Sequence, residues 1–162
     1  MARAWSCYRL ELQRERTGNR VNSGKKKLQT VNPQEIKVLI VEDSPSQAAI
    51  IAALVKQAGY AAAVYNELPT GIAQSLAKEE PDLVLLDLKL LDASGKPMAD
   101  GFQICREIKR SAPGTPVIVI TAEGDDEACE WAIMQGADAF LQKPFVASDL
   151  TQAIEEVLNA AP

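Results

Sequence analysis

From Glu35 onward the chain repeats one pattern five times: a short apolar run, then a longer segment with apolar residues at helical spacing. The runs predict strands over 36–41, 60–65, 82–86, 115–121 and 137–142. The segments between and after them predict helices over 45–59, 68–79, 100–110, 125–136 and 146–160. Parallel strands need a crossover of about a dozen residues or more, and the spacing supplies one each time. "IKVLIV", "DLVLL" and "TPVIVIT" are continuously apolar rather than alternating, as in strands covered on both faces. The fold class that follows is α/β: a doubly wound five-stranded parallel sheet, order 2-1-3-4-5, flanked by five helices. Local signals agree. Ser44 and Pro45 open the first helix and Gly59 closes it, Pro69 opens the second, and Ser94 or Asp100 is placed to cap the third. Asp125, Asp126 and Glu127 suit the positive end of the fourth.

Charge divides the 162 residues in two. Residues 1–35 carry 8 Lys/Arg and 3 Asp/Glu and are read as a basic, disordered N-terminal extension. Residues 36–162 carry 9 and 19 and form the folded domain. An acidic body argues against nucleic-acid binding. No apolar run nears the roughly 18 residues of a membrane span, and the N-terminus lacks a signal-peptide core, so no membrane partner and a cytoplasmic location are expected. Cys7, Cys105 and Cys129 have no C-x-x-C spacing, so reduced thiols and no zinc site are expected. The chain has no histidine, which removes Ser-His-Asp and Cys-His hydrolysis, His-metal centres and a phosphohistidine of its own.

In a doubly wound sheet the working site lies beyond the carboxyl ends of the strands. Glu42 and Asp43 follow the first strand, Asp87 the third, Thr121 and then Glu123 the fourth, and Lys143 with Pro144 the fifth. Alone, Glu42-Asp43 would be a solvated turn, Asp87 a helix cap and Lys143 a surface lysine. Together they put three acids, a hydroxyl and an ammonium on one edge. Crowded carboxylates repel unless a cation neutralises them, and oxygen-only ligands favour a hard ion such as Mg²⁺. A carboxylate so placed can attack phosphorus and form an acyl phosphate, a reaction that rests mostly on charge stabilisation.

The stretches "VLIVEDS", "DLVLLDLKL", "DGFQICREIK", "PVIVITA" and "ADAFLQKPF" resemble the receiver domain of two-component response regulators over about residues 36–160. The resemblance implies a CheY-like, flavodoxin-type fold with Asp87 as phosphoacceptor. It implies Mg²⁺ bound by Asp43, Asp87, the carbonyl of Lys89 and, often through water, Glu42. Lys143 would bridge to the phosphoryl group and Thr121 would move toward it. Phe140 would match the aromatic switch, against the simpler reading of a core phenylalanine. The Lys143-Pro144 peptide would be cis. Lys89 and Glu123 would tune hydrolysis, or else be two exposed charges in weak attraction. The donor would be a sensor histidine kinase or a phosphotransfer protein. The target would be a downstream protein contacted through the fourth helix, fifth strand and fifth helix, a face that also offers a homodimer contact. Such a receiver catalyses its own phosphorylation and dephosphorylation but is chiefly a switch. The chain ends near the fifth helix, so a single-domain regulator is expected.

Competing readings fare less well. "GKKK" at 24–27 has the wrong gap after Gly18 and no preceding strand for a phosphate loop, and no G-x-G-x-x-G follows the first strand. A haloacid-dehalogenase-like phosphatase would want an acid where Lys89 stands. The main alternative is a receiver-like interaction module that works without phosphate. Trp131 and Met134 are read as packing residues of the fourth helix. One departure from the resemblance stands out. Receivers typically carry a proline four residues after the acid, in a compact turn. Here Leu91 holds that position and 88–99 reads as a long loop with an insertion, expected to alter access to Asp87.

Overall fold

The computed structural model describes residues 35–68, 71–92, 94–122 and 126–160. The N-terminal extension through residue 34, Pro69, Glu123 and Asp125 lie outside these residues. In chain order the elements are β1 (Lys37–Val41), α1 (Pro45–Gln57), β2 (Ala61–Tyr65), α2 (Ile72–Glu79), β3 (Leu83–Asp87), β4 (Lys89–Leu91), β5 (Pro97–Asp100), α3 (Gly101–Ser111), β6 (Val117–Thr121), α4 (Asp126–Met134), β7 (Ala139–Gln142) and α5 (Ala147–Ala160). The main sheet runs β2-β1-β3-β6-β7, all parallel. With the short β4-β5 ribbon set aside, this is the expected order 2-1-3-4-5.

Alternation along each buried strand sorts side chains into two cores. Val38, Ile40, Leu83, Leu85, Ile118 and Ile120 pack with α1 and α5 on one face. Leu39, Val41, Val84, Leu86, Val117 and Val119 pack with α2, α3 and α4 on the other. Both cores therefore hold the same three central strands in register. Each fully buried aliphatic side chain contributes about 1.5–3 kcal/mol, so β1, β3 and β6 are the most firmly fixed parts of the chain.

The helix signals mostly hold. Ser44 caps α1, accepting from the N–H of Gln47, and Pro45 is its first residue. Gly59 takes a positive φ of 96° just past the helix. Asp100, not Ser94, caps α3, accepting from the N–H of Phe102 at 3.0 Å. α2 starts at Ile72, four residues later than expected, behind Gly71. On α4 the expectation for Trp131 and Met134 is corrected: they are 48% and 73% exposed. The helix buries only Cys129 and Ala132, and residues 131 and 134 fall on the opposite side of its turn. Cys105 is free and buried. Cys129 is disulfide-bonded, which corrects the expectation of three reduced thiols.

The largest correction concerns 88–99. The expected loop is an antiparallel ribbon, with Lys89 opposite Asp100, Leu90 opposite Ala99 and Leu91 opposite Pro97. Asp92 organises its tip: its side chain accepts from the N–H of Ser94 at 2.8 Å and of Lys96 at 3.0 Å, and its own N–H donates to the Lys96 carbonyl. Those bonds hold the Asp92 carboxyl below the usual aspartate range, the Ser94 side chain contributing most. Leu90 is buried in the α2-α3-α4 core. At the base, the Gly101 N–H donates to the Leu88 carbonyl at 3.3 Å.

That base admits only glycine. A Cβ on Gly101 would lie 2.4 Å from Leu88 Cα and 2.7 Å from Leu88 O. These are backbone atoms of the residue next to Asp87, so relief requires moving the strand end. Gly101→Ala is expected to cost about 1–3 kcal/mol through overpacking, read as a lower urea midpoint at unchanged m-value.

Candidate functional site

The three central strands end in register, and this builds the site. Val41 pairs with Leu86, Asp87 with Ile120, and Thr121 with Gln142. Glu42, Asp43, Asp87, Thr121 and Lys143 therefore share one edge of the sheet. Glu42, Asp87 and Thr121 are buried at 2%, 7% and 1% exposure. Carboxylate oxygens of Glu42, Asp43 and Asp87 lie within 4.8 Å of one another.

Lys143 is the counter-charge. Its ammonium donates to Glu42 Oε2 at 2.6 Å, to Asp87 Oδ2 at 2.6 Å and to Gln47 Oε1 at 2.7 Å. Burial opposes its charge, but the hydrogen bonds and charges of Asp87 and Glu42 outweigh burial and hold the lysine above its usual pKa. Glu42 is pushed up to about 7, chiefly by burial and further by the charge of Asp87, with Lys143 pulling the other way.

Backbone donors fix the remaining carboxylate oxygens. The Lys89 N–H donates to Asp87 Oδ1 at 2.9 Å, the Ser44 N–H to Glu42 Oε1 at 3.2 Å and the Leu91 N–H to Asp43 Oδ2 at 3.0 Å. Asn66 Nδ2 donates to the Glu42 carbonyl at 2.8 Å, and the Lys143 N–H to the Thr121 carbonyl at 2.8 Å. The Lys143-Pro144 peptide is cis. Lys89 has an exposed side chain at the ribbon base. Phe140 is turned inward, 7% exposed and packed in the α2-α3-α4 core.

The acids fit a hard cation. All donors are oxygens, Lys143 pairs with two of the three carboxylates, and their spacing lets one ion reach all three. Glu42, Asp43 and Asp87, named from sequence, are brought together with Lys143 and Thr121. Sequence reading missed Gln47 and the Leu91 N–H. Gln47 had a usable signal, since it lies in the first turn of the helix that follows the Glu42-Asp43 strand end. A backbone donor has no signal in residue identity.

Lys143 carries the electrostatics of this edge, so its removal has a direct cost. Lys143→Met leaves two buried acids facing each other and is expected to destabilise the metal-free protein by about 3–5 kcal/mol, measured by chemical denaturation with chelator present. The Cys105 thiol gives a milder check on packing. Burial pushes its pKa up to about 11, so it is expected to resist alkylation at neutral pH until the protein unfolds, as mass spectrometry would report.

Comparison with known proteins yields one family. The response regulator receiver domain matches residues 38–155. The nitrogen assimilation regulatory protein NtrX of Azorhizobium caulinodans is 32% identical over 122 residues, covering 75% of this chain and 26% of that protein. The uncharacterized transcriptional regulatory protein YvcP of Bacillus subtilis is 34% identical over 123 residues, covering 76% and 48%. The chain thus spans about a quarter to a half of these curated relatives. Among solved structures, a response regulator receiver domain protein from Clostridium thermocellum matches with a TM-score of 0.67 and 28% identity, covering 76% of this chain and 94% of that one.

Proposed function

The chain belongs to the response regulator receiver domain family, and on that premise we propose that it accepts a phosphoryl group on Asp87 and signals through the acyl phosphate. The observation that carries this reading is the position of Asp87. It ends the central strand, with Lys143 on one oxygen, the Lys89 N–H on the other, and two further acids within an ion's reach.

The chemistry follows from the residues. An Asp87 carboxylate oxygen attacks phosphorus; a new O–P bond forms as the bond to the donor breaks, and the leaving group departs with that electron pair. Water later cleaves the acyl phosphate, returning the carboxylate and inorganic phosphate. Mg²⁺, held by Glu42, Asp43, Asp87 and the Lys89 carbonyl, would supply the positive charge that lets an anionic phosphoryl group approach three acids. Lys143 turns from its carboxylate partners to a phosphoryl oxygen, and the Thr121 hydroxyl donates to another. As Thr121 moves, the inward Phe140, on the neighbouring strand, fills the space behind it. Lys89, exposed at the ribbon base, and Glu123 in sequence after Thr121 are read as tuning hydrolysis.

This sequence contains no histidine, so a phosphohistidine donor belongs to a partner: a sensor histidine kinase or a phosphotransfer protein. We place the output on a protein target at the face of α4, β7 and α5, where Trp131 and Met134 are exposed; a second copy could use the same face. The excess of acid over base in residues 36–162 supports a protein rather than a nucleic-acid target for this domain. Among the described residues no helix is long and apolar enough to cross a membrane. A phosphate-independent module is the weaker reading, because burying Glu42 and Asp87 beside each other is costly without a use for them.

Incubation with Mg²⁺ and acetyl phosphate tests the proposal. The expected result is a mass gain of one phosphoryl group, absent with chelator and absent in Asp87→Asn, with Lys143→Ala strongly slowed. No gain in the wild-type protein would leave the phosphate-independent module standing instead.

A further inference from the structure

We infer that the β4-β5 ribbon is a positioning element for the cation site, acting through the backbone N–H of Leu91 on Asp43. The inference rests on the assignment of Asp43 as a cation ligand.

Three features single out this contact. First, the Leu91 N–H donates to Asp43 Oδ2 at 3.0 Å across 48 positions of sequence. The contact falls where the ribbon is irregular: Leu91 lies opposite Pro97, and the register shifts between Leu90 and Leu91. Second, Leu91 is held from both sides. Leu90 is 1% exposed in the core, the residue-88 backbone is clamped by Gly101, and the Asp92 N–H is tied to the Lys96 carbonyl. Third, Asp43 needs a holder. Lys143 pairs with Glu42 and Asp87, and the contact at Asp43 Oδ2 comes from the ribbon.

The consequence is chemical. Ligating carboxylates are oriented by outer hydrogen bonds, and losing such a partner typically weakens metal affinity about 10- to 100-fold. A carboxylate oxygen of Asp43 lies within 4.8 Å of oxygens of Glu42 and Asp87, and the Leu91 N–H fixes where that carboxylate stands. A proline at position 91, as the resemblance would lead one to expect, has no N–H to give. The longer segment in this chain thus supplies a donor that a compact turn with proline there lacks.

Leu91→Pro removes the donor, and Leu90 is already in a strand, as a residue before proline prefers. Leu91→Ala keeps the donor and removes the side chain. Mg²⁺ affinity, measured by calorimetric titration without phosphodonor, is expected to fall about 10-fold or more in Leu91→Pro and to stay at the wild-type value in Leu91→Ala. Equal affinity in Leu91→Pro and wild type would overturn the inference alone. So would equal weakening in both variants, which would make ribbon packing the cause. Failure of the wild-type protein to bind Mg²⁺ would overturn the cation-site reading and this inference with it. A metal-free measurement guards against misfolding of the proline variant. In NMR spectra, Asp43→Ala is expected to move the Leu91 amide proton upfield and leave those of Ser94 and Lys96, which serve Asp92, in place. An unmoved Leu91 amide would also overturn the inference.

Discussion

Two buried carboxylates, Glu42 and Asp87, share one ammonium, and the architecture at the sheet edge follows from keeping that group balanced. Left alone, the acids would repel across the ends of β1 and β3. Lys143 prevents this although β6 lies between: it follows β7, two strands from Asp87, and its side chain reaches across to Asp87 Oδ2. The Lys143 N–H bonded to the Thr121 carbonyl starts that reach at a fixed point. Glu42 is still pushed up to about 7, chiefly by its burial and further by the charge of Asp87, with the lysine pulling the other way. An additional cation is what the arrangement favours.

The strands could be read because the physics that makes them is local to each run. Val38–Val41, Leu83–Leu86 and Val117–Ile120 are apolar without alternation, which only a sheet covered on both faces tolerates. The site was legible for the same reason: a parallel sheet puts every strand's carboxyl end on one edge, so Asp87, Thr121 and Lys143 needed only strand boundaries to be brought together. Helix starts were less legible. Gly71 opens α2 without a side-chain cap, so nothing in its residue type marks the start. Trp131 and Met134 misled because an apolar residue on a short helix reads as core, whereas the stripe that α4 buries is made of Cys129 and Ala132.

The 88–99 segment failed for a different reason. "LKLLDASGKPMADG" contains turn chemistry, with Asp92, Ser94 and Gly95 in sequence and Gly95 at a positive φ of 77°. Its flanks, however, are three and four residues long, shorter than strand patterns are normally trusted to be. What stabilises so short a ribbon is non-local: Leu90 in the core, Gly101 against Leu88, and Asp43 receiving the Leu91 N–H. None of these can be weighed until the sheet has been assembled around them.

These contacts bear on what the proposed phosphorylation at Asp87 would have to rearrange. In the metal-free protein every group at the edge already has a partner: Lys143 has Glu42, Asp87 and Gln47; Asp43 has the Leu91 N–H; Glu42 has the Ser44 N–H. On the proposed chemistry, the backbone donors can remain while Lys143 cannot, because a phosphoryl oxygen competes with Glu42 and Gln47 for the same three N–H bonds. The backbone-held carboxylates then act as the fixed frame and the lysine as the moving part. Lys143 is tied through its own N–H to Thr121, and Thr121 lies beside Gln142 on β7, so on the proposed chemistry a shift at the phosphoryl group would be passed to the strand that carries Phe140. On that proposal, the path to the α4, β7 and α5 face would begin at Lys143, the residue that pairs with Glu42 and Asp87 in the unphosphorylated site.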